Sequence, residues 1–170
     1  MFKKSDKLIE DGKYERGDII LFDPDGSVGS FLIDVVTHSH YHHIALYDGD
    51  GMVIEAMPGG VRNYPLGKRK VIGIRPAVAL PQKLIAIGWA HSKIGDPYDH
   101  RALLMIGLDR VFPHMRDSNP SASRFTCAVF ISEAYHHAGI DLLPGKDWND
   151  LVPGDFTELL EKTPTLVIPG

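Results

Sequence analysis

Residues 42–57 read His42-His43-Ile44-Ala45-Leu46-Tyr47-Asp48-Gly49-Asp50-Gly51-Met52-Val53-Ile54-Glu55-Ala56-Met57. Two short apolar runs flank Asp48-Gly49-Asp50-Gly51, whose glycines supply the positive-φ conformations that a tight turn needs. The stretch therefore predicts a β-hairpin, with strands over His43–Tyr47 and Met52–Met57. Two polar residues intrude on those strands: His43 at the start of the first, and Glu55 within the second. Their relation depends on the turn. A four-residue loop sets His43 opposite Ala56 and turns Glu55 to the other face. A three-residue loop, Asp48-Gly49-Asp50, sets His43 opposite Glu55 on one face, because side chains alternate along a strand. The residues permit both.

Outward from the hairpin, Asp18-Ile19-Ile20-Leu21-Phe22 is an apolar run between Gly17 and Asp23-Pro24-Asp25-Gly26, and reads as a buried strand. Ser27 to His38 has helical spacing with Ser27 as N-cap, Pro58-Gly59-Gly60 ends the hairpin, and Lys70 to Pro76 reads as a further strand. The second half is helical. A helix starts near Pro81 and runs toward Gly95, and a short one is expected within Arg101–Phe112. Asp117 to Arg124 is a polar loop. Cys127 to Ala138 is a strong helix stopped by Gly139, Asp155 to Lys162 is a last short helix, and Thr165 to Ile168 an edge strand. Strands first and helices after predict an α+β fold, with helices packed on one side of an antiparallel sheet or small barrel.

The chain has 170 residues, the length of a single domain spanning 1–170, with 44% hydrophobic and 24% charged residues. That is globular composition. A formal net charge of −4 offers no field for nucleic acid, so no nucleic-acid partner is expected. Cys127 is the one cysteine, which excludes intrachain disulfides and multi-cysteine zinc sites. No apolar run reaches the roughly 18 residues of a membrane-spanning helix. Met1-Phe2-Lys3-Lys4 is followed by Ser5-Asp6-Lys7 rather than an apolar segment, so no signal peptide is expected. The expected location is cytoplasmic at synthesis, with delivery by another system if the protein acts outside the cell.

Cys127 falls at the first turn of its helix, with Thr126 or Ser123 as cap. Cys127, Ile131, Ala134 and Ala138 share one stripe, which should face the sheet. A thiol there is either the top residue of a buried face or an activated nucleophile, favoured as thiolate by the helix dipole and unpaired N–H groups. The presence of a base decides between them. Nine histidines are present, four of them within residues 38–43. His38, His40, His42, His136 and His137 read as partly exposed polar residues, though His38, His40 and His42 share a strand face and offer the alternative of a metal site. Trp89 and Trp148 read as packing residues, and Lys68-Arg69-Lys70 as a solvated turn.

Taken together, Gly17-Asp18 before a strand, the Tyr41–Ala56 hairpin, Gly95-Asp96-Pro97-Tyr98-Asp99 and Phe125-Thr126-Cys127-Ala128 resemble the circularly permuted branch of the NlpC/p60 superfamily of papain-like cysteine hydrolases. The nearest likeness is to its YiiX/YebB-like group, with lecithin retinol acyltransferase-like enzymes as more distant relatives. The resemblance covers about residues 16–140. It implies a papain-like, permuted NlpC-type fold in which Cys127 is the nucleophile, His43 the general base and Glu55 the group that orients the imidazole. The twelve-residue step from His43 to Glu55 agrees with the family hairpin. The resemblance also draws Tyr41, His42, Asp18, Tyr98 and Thr126 toward the substrate. His42 and Ala128 stand where the family usually has serine. The implied activity is hydrolysis of an amide bond in a cell-wall peptide or small peptide amide, without a cofactor. Alternatives are a thioesterase, phospholipase or acyltransferase on the same triad, a metal-dependent enzyme built on the histidine cluster, and a non-catalytic binding module.

Overall fold

Among the described residues, five strands form one antiparallel sheet, and two helices pack together on one of its faces. The computed structural model describes residues 13–23, 41–97, 126–148 and 151–159. The strands are β1 (Ile19–Phe22), β2 (His43–Gly49), β3 (Met52–Met57), β4 (Gly60–Pro65) and β5 (Val71–Ile74). The helices are α1 (Leu80–Ser92) and α2 (Cys127–His137), followed by a 3-10 turn at Pro153–Thr157. The sheet order is β4-β3-β2-β1-β5. The architecture is α+β, as strands followed by helices imply.

Strand parity divides the sheet into two cores. Ile19, Leu21, Ile44, Leu46, Ile54 and Ala56 face the helices, where Ala86, Ile87 and Ala90 of α1 meet Phe130, Ile131, Ala134 and Tyr135 of α2. Ile20, Phe22, Ala45, Tyr47 and Val53 face the other way, covered by Tyr14, Leu66 and Val71. Every residue of β1 is buried, which explains its unbroken apolar sequence. Each fully buried Ile or Phe contributes about 1.5–3 kcal/mol relative to exposure. Of the expected α2 stripe, Cys127, Ile131 and Ala134 are buried and Ala138 is half-buried; Phe130 and Tyr135 are buried as well, because the helix is covered by α1 as well as by β2 and β3.

The structure departs from the sequence reading in two places that shape the site. The hairpin turn is neither three nor four residues long. Asp50 (φ 51°) and Gly51 (φ 72°) form a two-residue turn with both central residues left-handed, the arrangement that matches strand twist. Asp48 is then an extra residue in β2, because the pairing passes from Tyr47↔Val53 to Gly49↔Met52. Arg16, Asn63 and His91 hold its carboxylate in place. Second, Pro58-Gly59-Gly60 does not end the meander. Gly60 (φ 108°) opens β4, an edge strand whose polar Arg62-Asn63-Tyr64-Pro65 lacks the apolar alternation that marks a strand in sequence.

The predicted elements at Ser27–His38, Arg101–Phe112, Asp117–Arg124 and Thr165–Ile168 lie outside the described residues.

Candidate active site

His43 opens β2, paired with Phe22 of β1, and its ring lies 5.0 Å from the Phe22 ring. Glu55 lies in the middle of β3. Continued along the strands, the Leu46↔Ile54 register places Glu55 across from Ala45, one diagonal step from His43 and on the same face. The Glu55 side chain spans that step. His43 Nε2 donates to Glu55 Oε2 at 2.9 Å, and both residues are buried. The bulge at Asp48 therefore preserves the productive face by a different register from either one considered from the sequence.

Cys127 arrives from the other side of the molecule. It is the first residue of α2, buried at the helix mouth, and its thiol lies close enough to the His43 ring to raise the ring's pKa. With Nε2 engaged by Glu55, Nδ1 is the ring nitrogen left for a second partner. Thr126 is the N-cap, and its hydroxyl accepts from the Val129 N–H at 3.3 Å. The Thr126 carbonyl accepts from Phe130. Helix geometry gives the N–H groups of Cys127 and Ala128 no partner within the helix, so they stand beside the sulfur at the positive end of the dipole.

The electrostatics follow from these contacts. Burial disfavours the charged ring of His43, but hydrogen bonds and charge from Cys127 and Glu55 outweigh it and raise its pKa to about 9. Burial likewise opposes the Glu55 carboxylate, yet His43, Arg69 and Arg62 hold its pKa down to about 2. The pair is thus an imidazolium–carboxylate ion pair over the neutral range.

Two arginines complete the site, and neither was singled out from the sequence as functional. Arg62 lies directly across from Glu55 in the β3–β4 ladder and donates to Oε1 from Nε at 3.0 Å and from a terminal nitrogen at 2.9 Å. Arg69 donates to Oε2 at 3.1 Å and to the Leu66 and Pro65 carbonyls. The expectation of a solvated turn at Lys68-Arg69-Lys70 fails at Arg69. Lys68 and Lys70 are exposed, whereas Arg69 turns inward over the Phe22 ring, 4.4 Å from its centroid. A cross-strand acid–base pair signals Arg62 once β4 is recognised; hydropathy carries no signal for Arg69.

The remaining candidates separate. Tyr41 and His42 are half-buried immediately before His43, with Tyr41 packed against the helix-side core. Asp18 is not brought to this site. It precedes β1 at the end opposite the Phe22–His43 pair, about 13 Å away along the strand. There its carboxylate is fully buried and accepts from Arg75 at 3.0 Å, from Lys83 at 3.5 Å and from the Glu15 N–H at 2.9 Å. Tyr98, His38 and His40 lie outside the described residues. His136 and His137 are exposed at the far end of α2, against Trp148 and Trp89 respectively. Among the described residues, no group of three or more His, Cys, Asp or Glu is placed to hold a metal ion.

No protein-family model and no curated protein matches the chain. Among solved structures it is similar to the metalloprotein yiiX from Escherichia coli O157:H7, with 23% identity, 92% of this chain and 90% of that chain covered, and a TM-score of 0.58. The likeness establishes a yiiX-like fold.

Proposed function

We propose that the protein is a cysteine hydrolase that cleaves an amide bond in a cell-wall peptide or small peptide amide, with Cys127 as nucleophile. The observation that carries this reading is the chain of contact from the Cys127 thiol through the His43 ring to the Glu55 carboxylate, assembled from α2, β2 and β3 in a buried setting. The same Cys-His-Glu order is the one implied by the resemblance to permuted NlpC/p60 hydrolases.

In this reading the thiol proton already resides on the His43 imidazolium, and the Cys127 sulfur attacks the substrate carbonyl carbon as thiolate. The oxygen of the tetrahedral intermediate takes the negative charge and accepts from the N–H groups of Cys127 and Ala128 in the first turn of α2. His43 then gives its proton to the leaving amine, leaving an acyl-enzyme on Cys127. A water, deprotonated by His43, releases the acid and restores the thiolate. Glu55 orients the ring and stabilises its charged form without taking its proton.

The similar yiiX protein is a metalloprotein. The donor set here does not suit a cation. Both oxygens of Glu55 are engaged, and the guanidinium groups of Arg62 and Arg69 stand where a metal ion would need negative charge.

The test is hydrolysis of cell-wall-derived peptides by the wild type, Cys127→Ala and His43→Ala, with each variant checked for a native melting transition. The first substitution abolishes turnover. The second lowers it by about 10²–10⁴-fold, the usual share of a general acid–base group. Full turnover in Cys127→Ala overturns the reading. An acyl mass shift on Cys127 with lipid esters but none with peptides reassigns the substrate to the acyltransferase or lipase class.

A further inference from the structure

We propose that Arg62 and Arg69 are positioning residues of this site, a two-sided clamp that holds the Glu55 carboxylate in the plane and rotation that His43 requires. The inference rests on the cysteine-hydrolase reading and extends it to two residues outside the triad.

A carboxylate on a strand is free to turn about its last side-chain bond, and only some rotations place an oxygen on the His43 Nε2–H. Four donor nitrogens on three side chains remove that freedom here. Arg62 grips Oε1 with two nitrogens, and Oε2 is shared by His43 at 2.9 Å and Arg69 at 3.1 Å. The arginines are themselves fixed. Arg62 stacks over the Tyr64 ring at 4.1 Å, and Arg69 over Phe22 at 4.4 Å, with two carbonyls taking its other nitrogens. Phe22 in turn touches the His43 ring, so one aromatic side chain braces both the base and the clamp.

A purely structural ion pair would not need this arrangement. Glu55 is fully buried, and one arginine would already compensate its charge. The second guanidinium acts on the very oxygen that serves His43. The clamp therefore acts on the reacting sulfur through two intermediaries, the carboxylate and the imidazole.

The single cysteine allows a test that needs no substrate. The rate of Cys127 alkylation by iodoacetamide is followed by mass across about pH 4 to 10 for the wild type, Arg62→Ala, Arg62→Lys, Arg69→Ala and His43→Ala. Melting curves identify the folded variants. Both arginine-to-alanine variants are expected to react about tenfold more slowly near neutral pH, with displaced inflections in the profile. Arg62→Lys keeps the charge but not the fork, and recovers only part of the rate. If Arg69→Ala does not fold, the Arg62 variants decide by the same profile, since Arg62 is at the surface edge of the site. Wild-type profiles in the arginine-to-alanine variants, with His43→Ala slow, overturn the clamp and leave the hydrolase reading standing. Full rescue by Arg62→Lys overturns it in favour of charge alone. A wild-type profile in His43→Ala overturns the hydrolase reading and the clamp with it.

Discussion

His43 Nε2 and Glu55 Oε2 meet at 2.9 Å across neighbouring strands, although their backbones are not directly paired. The contact exists because one extra residue in β2 is combined with a two-residue turn. Together these shift the hairpin by an even number of places from a register that would set the two residues face to face, and so leave both side chains on one face. A shift by one place would have turned the acid into the opposite core.

The pair makes stability depend on pH in a defined window. Glu55 is lowered from 4.5 to about 2, so its contribution is complete above 4.5 and is lost as pH falls through about 2. His43 is raised from 6.5 to about 9, so its contribution is complete below 6.5 and is lost as pH rises through about 9. Unfolding by urea should therefore show a stability plateau between roughly 4.5 and 6.5, with decline on both sides. Glu55→Gln removes the acid flank and should reduce the alkaline flank without abolishing it, because Cys127 also raises His43. Identical pH profiles for wild type and Glu55→Gln would contradict the ion pair.

Asp18 should be a stability residue. Asp18→Ala leaves Lys83 buried with no carboxylate and Arg75 without its main partner, a loss on the order of 3–5 kcal/mol for a broken buried pair. Its melting temperature should fall, while the alkylation rate of Cys127 in the folded protein stays at the wild-type value. Normal melting with a slowed Cys127 would return Asp18 to the active site.

Thr126 should contribute as a cap. Thr126→Ala removes the acceptor for the Val129 N–H and is expected to cost about 1 kcal/mol in denaturant unfolding, with Thr126→Ser close to wild type. Equal losses in both variants would show that the methyl group, buried beside Cys127, matters and the hydroxyl does not.

Gly17 shows why such assignments resist one-dimensional reading. A Cβ there would sit 2.8 Å from the Lys83 stem, so the glycine before Asp18 leaves room for the lysine that Asp18 binds. Sixty-five positions separate the acid from its lysine. A motif match at Gly17-Asp18 carries no information about that distance.

The local features were legible in the amino-acid order. Short apolar runs and turn glycines mark β2 and β3, an unbroken apolar run marks β1, and a cap followed by helical spacing places Cys127 at the head of α2. These depend on residues within a few positions of one another, where backbone sterics and burial act on the chain directly. The tertiary structure alone decided the even-numbered register of the hairpin, the polar edge strand β4, the inward turn of Arg69 and the removal of Asp18 to the far end of β1. Each of those is settled by whether a buried charge finds partners from distant segments. That balance of desolvation against pairing is a property of the assembled core, and no window of sequence contains it.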